Sequence, residues 1–124
     1  MANVIFIYSG AILTLIWGVA HLIPTKSVVK NFGDISIDNQ RILTMEWISE
    51  GVLMIFIGCI CAAVTYLDLL NKTSVFIYLA SAVTLITMAV ISFFTGFQVN
   101  FLPYKLCPFI FTLSAILLLL GTNI

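Results

Sequence analysis

Residues 44–70 read TMEWISEGVLMIFIGCICAAVTYLDLL, and from Gly51 to Leu67 this stretch carries no charged side chain. That is the composition of a helix that crosses a bilayer, since about 20 mostly apolar residues span about 30 Å of hydrocarbon. The excess length implies a tilt, or a start inside the interface. A strand does not fit. Backbone groups in lipid must be satisfied internally, and a transmembrane barrel would show polar residues at every second position. No such alternation is present.

Outward from this stretch, three more apolar runs have spanning length: residues 4–23, ending before Pro24, residues 74–97, and residues 106–120, ending before Gly121. The whole chain agrees. It has 124 residues, 62% hydrophobic and 8% charged, with a mean hydropathy of +1.21. Soluble domains run near ~25% charged, and a soluble fold this small could not hide so much apolar surface. The expected fold is all-α, an integral membrane four-helix bundle in antiparallel up-down-up-down order, with residues 1–124 forming a single transmembrane domain. No Lys or Arg precedes the first apolar run, so it is expected to be a span and not a cleaved signal peptide.

The connections differ in character. Residues 24–43 form the one long polar segment, with Lys26, Lys30, Asp34, Asp38 and Arg41. Phe32, Ile35 and Ile37 interrupt it and Gly33-Asp34 is a turn signal, so a lid or interfacial turn folded over the bundle mouth is expected. Ser36 or Asp38 would cap a helix leading into the second span. Asn71-Lys72-Thr73 is a tight hairpin, and residues 98–105 hold Pro103 with the interfacial aromatics Phe101 and Tyr104. Lys26, Lys30, Arg41 and Lys105 fall on one side and Lys72 on the other. The positive-inside rule then puts residues 24–43 in the cytoplasm and both termini outside, in a plasma or inner membrane. The segments Leu22–Lys26 and Phe101–Lys105 share an apolar-Pro-x-Lys pattern, which two halves related by an axis along the membrane normal would produce; ordinary Pro and Lys punctuation at membrane exits explains it equally.

Net charge is zero, which leaves no basic footprint for nucleic acid. Cys59, Cys61 and Cys107 form no C-x-x-C motif; Cys59 and Cys61 point about 200° apart on a helix and cannot bridge. No glycine-rich nucleotide loop or haem-ligating pair occurs, so no cofactor is expected.

Chemistry in such a chain rests on ionisable groups inside the membrane, which are costly to place there and face a bundle interior or cavity. Gly10, Thr14, Trp17, Gly18 and His21 share one quadrant of the first span. Gly10, Thr14 and Gly18 have small-xxx-small spacing, which admits a close neighbour helix. This makes the His21 face the packed one, with Trp17 expected to stack on His21. In the second span Glu46 and Glu50 lie one turn apart, at the level of His21. Both are expected in the first turns of that helix, where its dipole favours negative charge. Arg41, just before it, and Lys105, from the third connection, would reach the same level. The candidate ligand- or proton-binding residues are therefore His21, Glu46, Glu50, Trp17, Arg41 and Lys105. Two carboxylates this close in a low dielectric cannot both ionise cheaply, so a coupled titration is expected. The same residues also suit a purely structural polar network. A His and two Glu could ligate a transition metal, but a second His and the paired Glu-x-x-His motifs of di-iron bundles are missing, so no metal is expected. Ser92 and Gly96 repeat the small-residue spacing in the third span, and Pro108 is expected in the first turn of the fourth, where proline is tolerated.

In size and number of spans the chain resembles the small multidrug resistance transporters. That family carries its essential carboxylate inside the first helix; here the first helix has none, so the activity is not carried over. Four-helix membrane proteins of the DoxX-like type, and isomerase-like membrane domains that bind sterols, share the general layout only. The expectation from the residues is a transport or hydrophobic-ligand-binding protein with a His/Glu site near the cytoplasmic side. A membrane enzyme using the Glu and His residues as acid and base, and a non-catalytic subunit, are the alternatives. The expected partners are the lipid bilayer and a small hydrophobic or ionic ligand. Four short helices leave little room for a private pathway, so a homo-oligomer is expected.

Overall fold

The computed structural model describes residues 2–68 and 71–122. Five α-helices carry almost all of them: α1 (Ala2–Leu22), α2 (Thr25–Lys30), α3 (Ile37–Asp68), α4 (Lys72–Phe94) and α5 (Leu102–Thr122), with one 3₁₀ turn at Gly96–Gln98. Four of these, α1, α3, α4 and α5, are long and apolar enough to cross a membrane. No strand occurs among the described residues. The fold is thus the all-α membrane bundle expected from hydropathy. The last two residues of the expected second span, 69 and 70, lie outside the described residues.

α1 is the central element, packed broadly against both α3 and α5; α4 packs mainly on α5 and only lightly on α3. Small residues set these distances. A Cβ added to Gly18 would lie 2.9 Å from the Gly51 carbonyl oxygen, and one added to Gly58 would lie 2.6 Å from that of Ala11. On the other flank, a Cβ at Gly10 would meet the Ser114 carbonyl oxygen at 2.9 Å. Lipid gives helices no hydrophobic reason to associate, so such close backbone approach supplies the packing energy instead. The stripe Gly10-Thr14-Gly18 thus serves two neighbours, α5 and α3. Contacts along α1 climb as those along α3 descend, Gly18 at Gly51 and Ala11 at Gly58.

The seam between α3 and α4 uses hydrogen bonds. The Thr65 hydroxyl donates to the Cys61 carbonyl (2.6 Å). Its single proton being spent, the buried Tyr78 hydroxyl donates to Thr65 Oγ1 (2.8 Å). The Cys61 thiol donates to Ser81 Oγ at 3.4 Å, and Ser74 closes the hairpin end on the Asp68 carbonyl at 2.6 Å. Asn71 caps α4 by accepting from the Thr73 amide (2.8 Å), the role that suits a short amide side chain at a helix start.

Several boundaries differ from expectation. The second span begins at Ile37 and not near residue 44. Its first turns, Ile37-Asp38-Asn39-Gln40-Arg41, are polar and exposed, so a hydropathy threshold passes over them. Ser36 is the cap: its Oγ accepts from the Asn39 amide at 3.2 Å and its carbonyl from Gln40 at 3.0 Å. The fourth span begins at Leu102, which puts Pro103 in its first turn and Pro108 inside the helix. Pro108 has no N–H for the Tyr104 carbonyl, so α5 lacks one rung. α4 ends at Phe94, and Gly96 lies in the 3₁₀ turn beside Tyr104; Ser92 and Gly96 do not form one helical stripe. Pro24 follows α1 whereas Pro103 opens α5, so the two Pro-x-Lys segments occupy different places.

Replacing Gly58 by Ala should destabilise the bundle by about 1–3 kcal/mol, because the new methyl meets backbone that cannot rotate away. A lowered thermal midpoint of the purified protein in nanodiscs would show it; an unchanged midpoint would mean that α1 and α3 are not held at this distance.

Candidate functional site

At the end of the bundle where α1 finishes, the close contact of Gly18 with Gly51 fixes which side chains can meet. His21 lies one turn beyond Gly18, and Trp47 one turn before Gly51. Their rings stack, with centroids 3.9 Å apart and planes 14° from parallel. The Trp47 indole N–H also donates to the His21 backbone carbonyl at 2.7 Å. That carbonyl is among the last of α1 and has no partner within the helix, so Trp47 caps α1 from the neighbouring element. Tyr104, in the first turn of α5, meets the other side of Trp47 edge-on at 5.6 Å, and Phe101 meets Tyr104 in turn at 5.5 Å. Three elements are locked by one aromatic row.

The expected stacking of Trp17 on His21 is therefore corrected: the ring on His21 is Trp47. Trp17 lies on the same face of α1 one turn earlier, its indole nitrogen buried without a hydrogen-bond partner. A signal for Trp47 was present in the sequence. Trp47, Gly51, Met54, Gly58, Cys61 and Thr65 recur at three- and four-residue spacing, and all but Trp47, which is half-buried, are buried. Its first part, from Trp47 to Gly58, faces α1, and Trp47 is its first member; Cys61 and Thr65 turn to α4.

His21 and Glu50 come together. His21 Nε2 lies 3.5 Å from Glu50 Oε2, the side chains being 7% and 41% exposed. The distance suits an ion pair, yet Nε2 is buried and makes no hydrogen bond. Glu46 is exposed one turn away and pairs with no cation among the described residues. Because α3 starts at Ile37, Glu46 and Glu50 stand well inside the helix, beyond the reach of its N-terminal dipole, which fades within the first turn. Arg41 also lies within α3, where it faces the exposed Asp38 at 3.7 Å; a pair this open adds little stability. Lys105 sits half-buried in the first turn of α5 and forms no ion pair among the described residues. Arg41 and Lys105 thus stand apart from the His21–Glu50 pair. Among the described residues no group of three or more His, Cys, Asp or Glu gathers closely enough to hold a metal ion.

Two hollows lie on either side of Trp47 in the aromatic row. The first is an open groove of about 480 Å³ walled by Val28, Phe32, Leu43 and Leu53, with Glu46 and Glu50 on its floor. Its cover is α2, where the loop was expected to fold back. Val28 is buried, the Val28 amide bonds the Pro24 carbonyl at 2.9 Å, and Gly33, at φ +76°, turns the chain away. The second is a smaller, largely enclosed cavity of about 150 Å³ bordered by Trp17, His21 and Cys107. Trp47 and Tyr104 line both and form the partition between them. Chemically, an apolar groove with a partly exposed carboxylate beside a buried imidazole can receive a lipophilic molecule and hold its polar end.

No family model matches the chain, no curated protein matches it and no solved structure matches it. The functional reading therefore rests on these residues alone.

Replacing Trp47 by Phe should cost about 1 kcal/mol more than the same change at Trp17, because Trp47 loses a made hydrogen bond and Trp17 has none to lose. Thermal unfolding of the two variants side by side decides it, and equal losses would remove Trp47 as the cap of α1.

Proposed function

We propose that this membrane protein binds a small lipophilic molecule in the groove beneath α2, its polar end directed to Glu50 and His21. The carrying observation is the placement of a 41%-exposed carboxylate, partnered among the described residues by a buried imidazole, in a largely apolar groove that also holds Glu46 and Ser49. A structural ion pair would be expected to close both groups from solvent and to complete its hydrogen bonds, since half-satisfied networks in a low dielectric are costly. Here the carboxylate is open and the imidazole nitrogen unbonded. Pockets of this kind, apolar with a few convergent polar groups, are the usual form of small-molecule sites. Transport of that molecule, in a homo-oligomer with this end in the cytoplasm, is the form of the proposal that suits so small a chain.

A membrane-embedded enzyme is the second reading, favoured by the 3.5 Å His21–Glu50 approach, which is near the distance over which acid and base groups exchange a proton. Turnover of a lipid-soluble substrate in liposomes without any gradient would single it out.

The binding test uses Trp47 as reporter, in a Trp17→Phe background that leaves one tryptophan. A bromoalkyl alcohol added to nanodiscs should quench Trp47 saturably. Leu53→Phe, which narrows the groove, should weaken that saturable phase severalfold. Quenching that rises linearly with probe, as simple partition into lipid gives, would overturn the proposal.

Stability separates a binding role from structural glue. Glu50→Gln and Glu46→Gln should each leave the thermal midpoint nearly unchanged, within about 0.5 kcal/mol, as substitutions at open positions do. His21→Ala, which removes a buried stacked ring, should cost about 1–3 kcal/mol. Collapse of the fold in Glu50→Gln would assign the carboxylate to structure.

A further inference from the structure

The groove beneath α2 carries a charge imbalance that its own residues leave standing. Its lining holds two carboxylates, Glu46 and Glu50, one helical turn apart on α3, and among the described residues no Lys or Arg lines it. Like charges at this spacing repel. The basic residues at this end of the bundle are placed elsewhere. Arg41 faces Asp38 at 3.7 Å, and Lys26 and Lys30 border a separate polar hollow beside Asp34. Lys105 forms no ion pair among the described residues. His21 does not discharge Glu50 either. It is 9% exposed and turns Nε2 toward Glu50 Oε2, but at 3.5 Å and with no hydrogen bond made. A charge-assisted bond between such groups closes to about 2.7–2.9 Å. The walls beside the carboxylates are aromatic: Trp47 on α3 between them in sequence, Tyr104 from α5, and Phe32 just beyond α2. Ring faces attract a cation, more strongly where water is excluded, and cages of such rings recognise quaternary ammonium groups.

We infer that the groove takes an organic cation, a lipophilic amine or quaternary ammonium compound whose charged end lies among Glu46, Glu50 and the rings of Phe32, Trp47 and Tyr104. This rests on the lipophile-binding reading and names the chemical class of the polar end. A cation between the carboxylates lets both ionise together, which their mutual repulsion otherwise disfavours. An anionic end would meet two carboxylates and find no partner in the lining. A hydroxyl end would leave the two like charges uncompensated. A bare metal ion would make no use of the apolar walls, and no group of three ligands gathers among the described residues.

The experiment reads Trp47 quenching in the full chain, in the Trp17→Phe background, in phosphatidylcholine nanodiscs. Three probes of one chain length differ only in the head: bromohexyl-trimethylammonium, bromohexanol and bromohexanoate. Each is expressed as its mole fraction in the bilayer, so that partition into lipid cancels. The ammonium probe should half-saturate the quenching at about tenfold lower mole fraction than the alcohol, and the carboxylate should not saturate it. Glu46→Gln combined with Glu50→Gln should abolish that preference. Asp34→Asn, which removes a charge outside the groove, should leave it in place. Equal half-saturation by ammonium and alcohol overturns the assignment, as does a preference that survives the double Gln variant or is lost in Asp34→Asn. If the alcohol still saturates in that case, only the charge of the ligand is wrong; if no probe saturates, the groove reading falls with it.

Discussion

The contact on which the rest depends is the close approach of α1 to α3, where Gly18 meets Gly51 and Ala11 meets Gly58. Without side chains between them, the two backbones lie near enough for a residue one turn away on each helix to meet its counterpart. That is how Trp47 comes to lie flat on His21 and to bond its carbonyl. Glu50 then has no choice of neighbour. It follows Trp47 by three residues, on the side of the helix that reaches the imidazole edge. A bulkier residue at the crossing would separate all three groups together, so the polar site is a product of apolar packing.

The opposite face of the bundle is held in another way. Between α3 and α4 the Thr65–Tyr78 and Cys61–Ser81 bonds join the helices, although their contact is slight. Such bonds in membrane helices contribute only modestly, about 0.6 kcal/mol on average. The bundle thus has one tightly packed side, running α3–α1–α5–α4, and one seam, α3–α4, fastened at points. The groove and the cavity both open at the end where the tight side finishes, against a rigid wall.

Hydropathy carries some signals of this structure and not others. The four spans stand out in the sequence because lipid demands long uncharged runs, and the charged residues lie mostly at their ends. The common level of His21 and Glu50 was legible too, since small residues marked the packed face of α1 and the Glu residues opened the next span; which carboxylate meets the imidazole was not. The start of α3 was not: Asp38–Arg41 is polar, and only the Ser36 cap betrays a helix there. The same error put Glu46 and Glu50 at a helix terminus. Long flexible cations misled differently. Arg41 and Lys105 share a level with the site, but level does not fix direction, and Arg41 turns to Asp38 on its own helix. Trp47 was missed because Trp17 lay nearer in sequence, while the partner across the helix crossing depended on a register that only the glycine contacts define.

The length of α3 has a consequence for where this protein can work. Its 32 residues make a rod of about 48 Å at 1.5 Å per residue, against a hydrocarbon layer of about 30 Å. Sterol-rich and sterol-poor membranes differ in thickness by a few ångströms, and a helix answers such differences by tilting or by standing further out. Either response raises or lowers the two carboxylates relative to the lipid head groups. In the proposed site, bilayer thickness would thereby set how much water Glu50 meets.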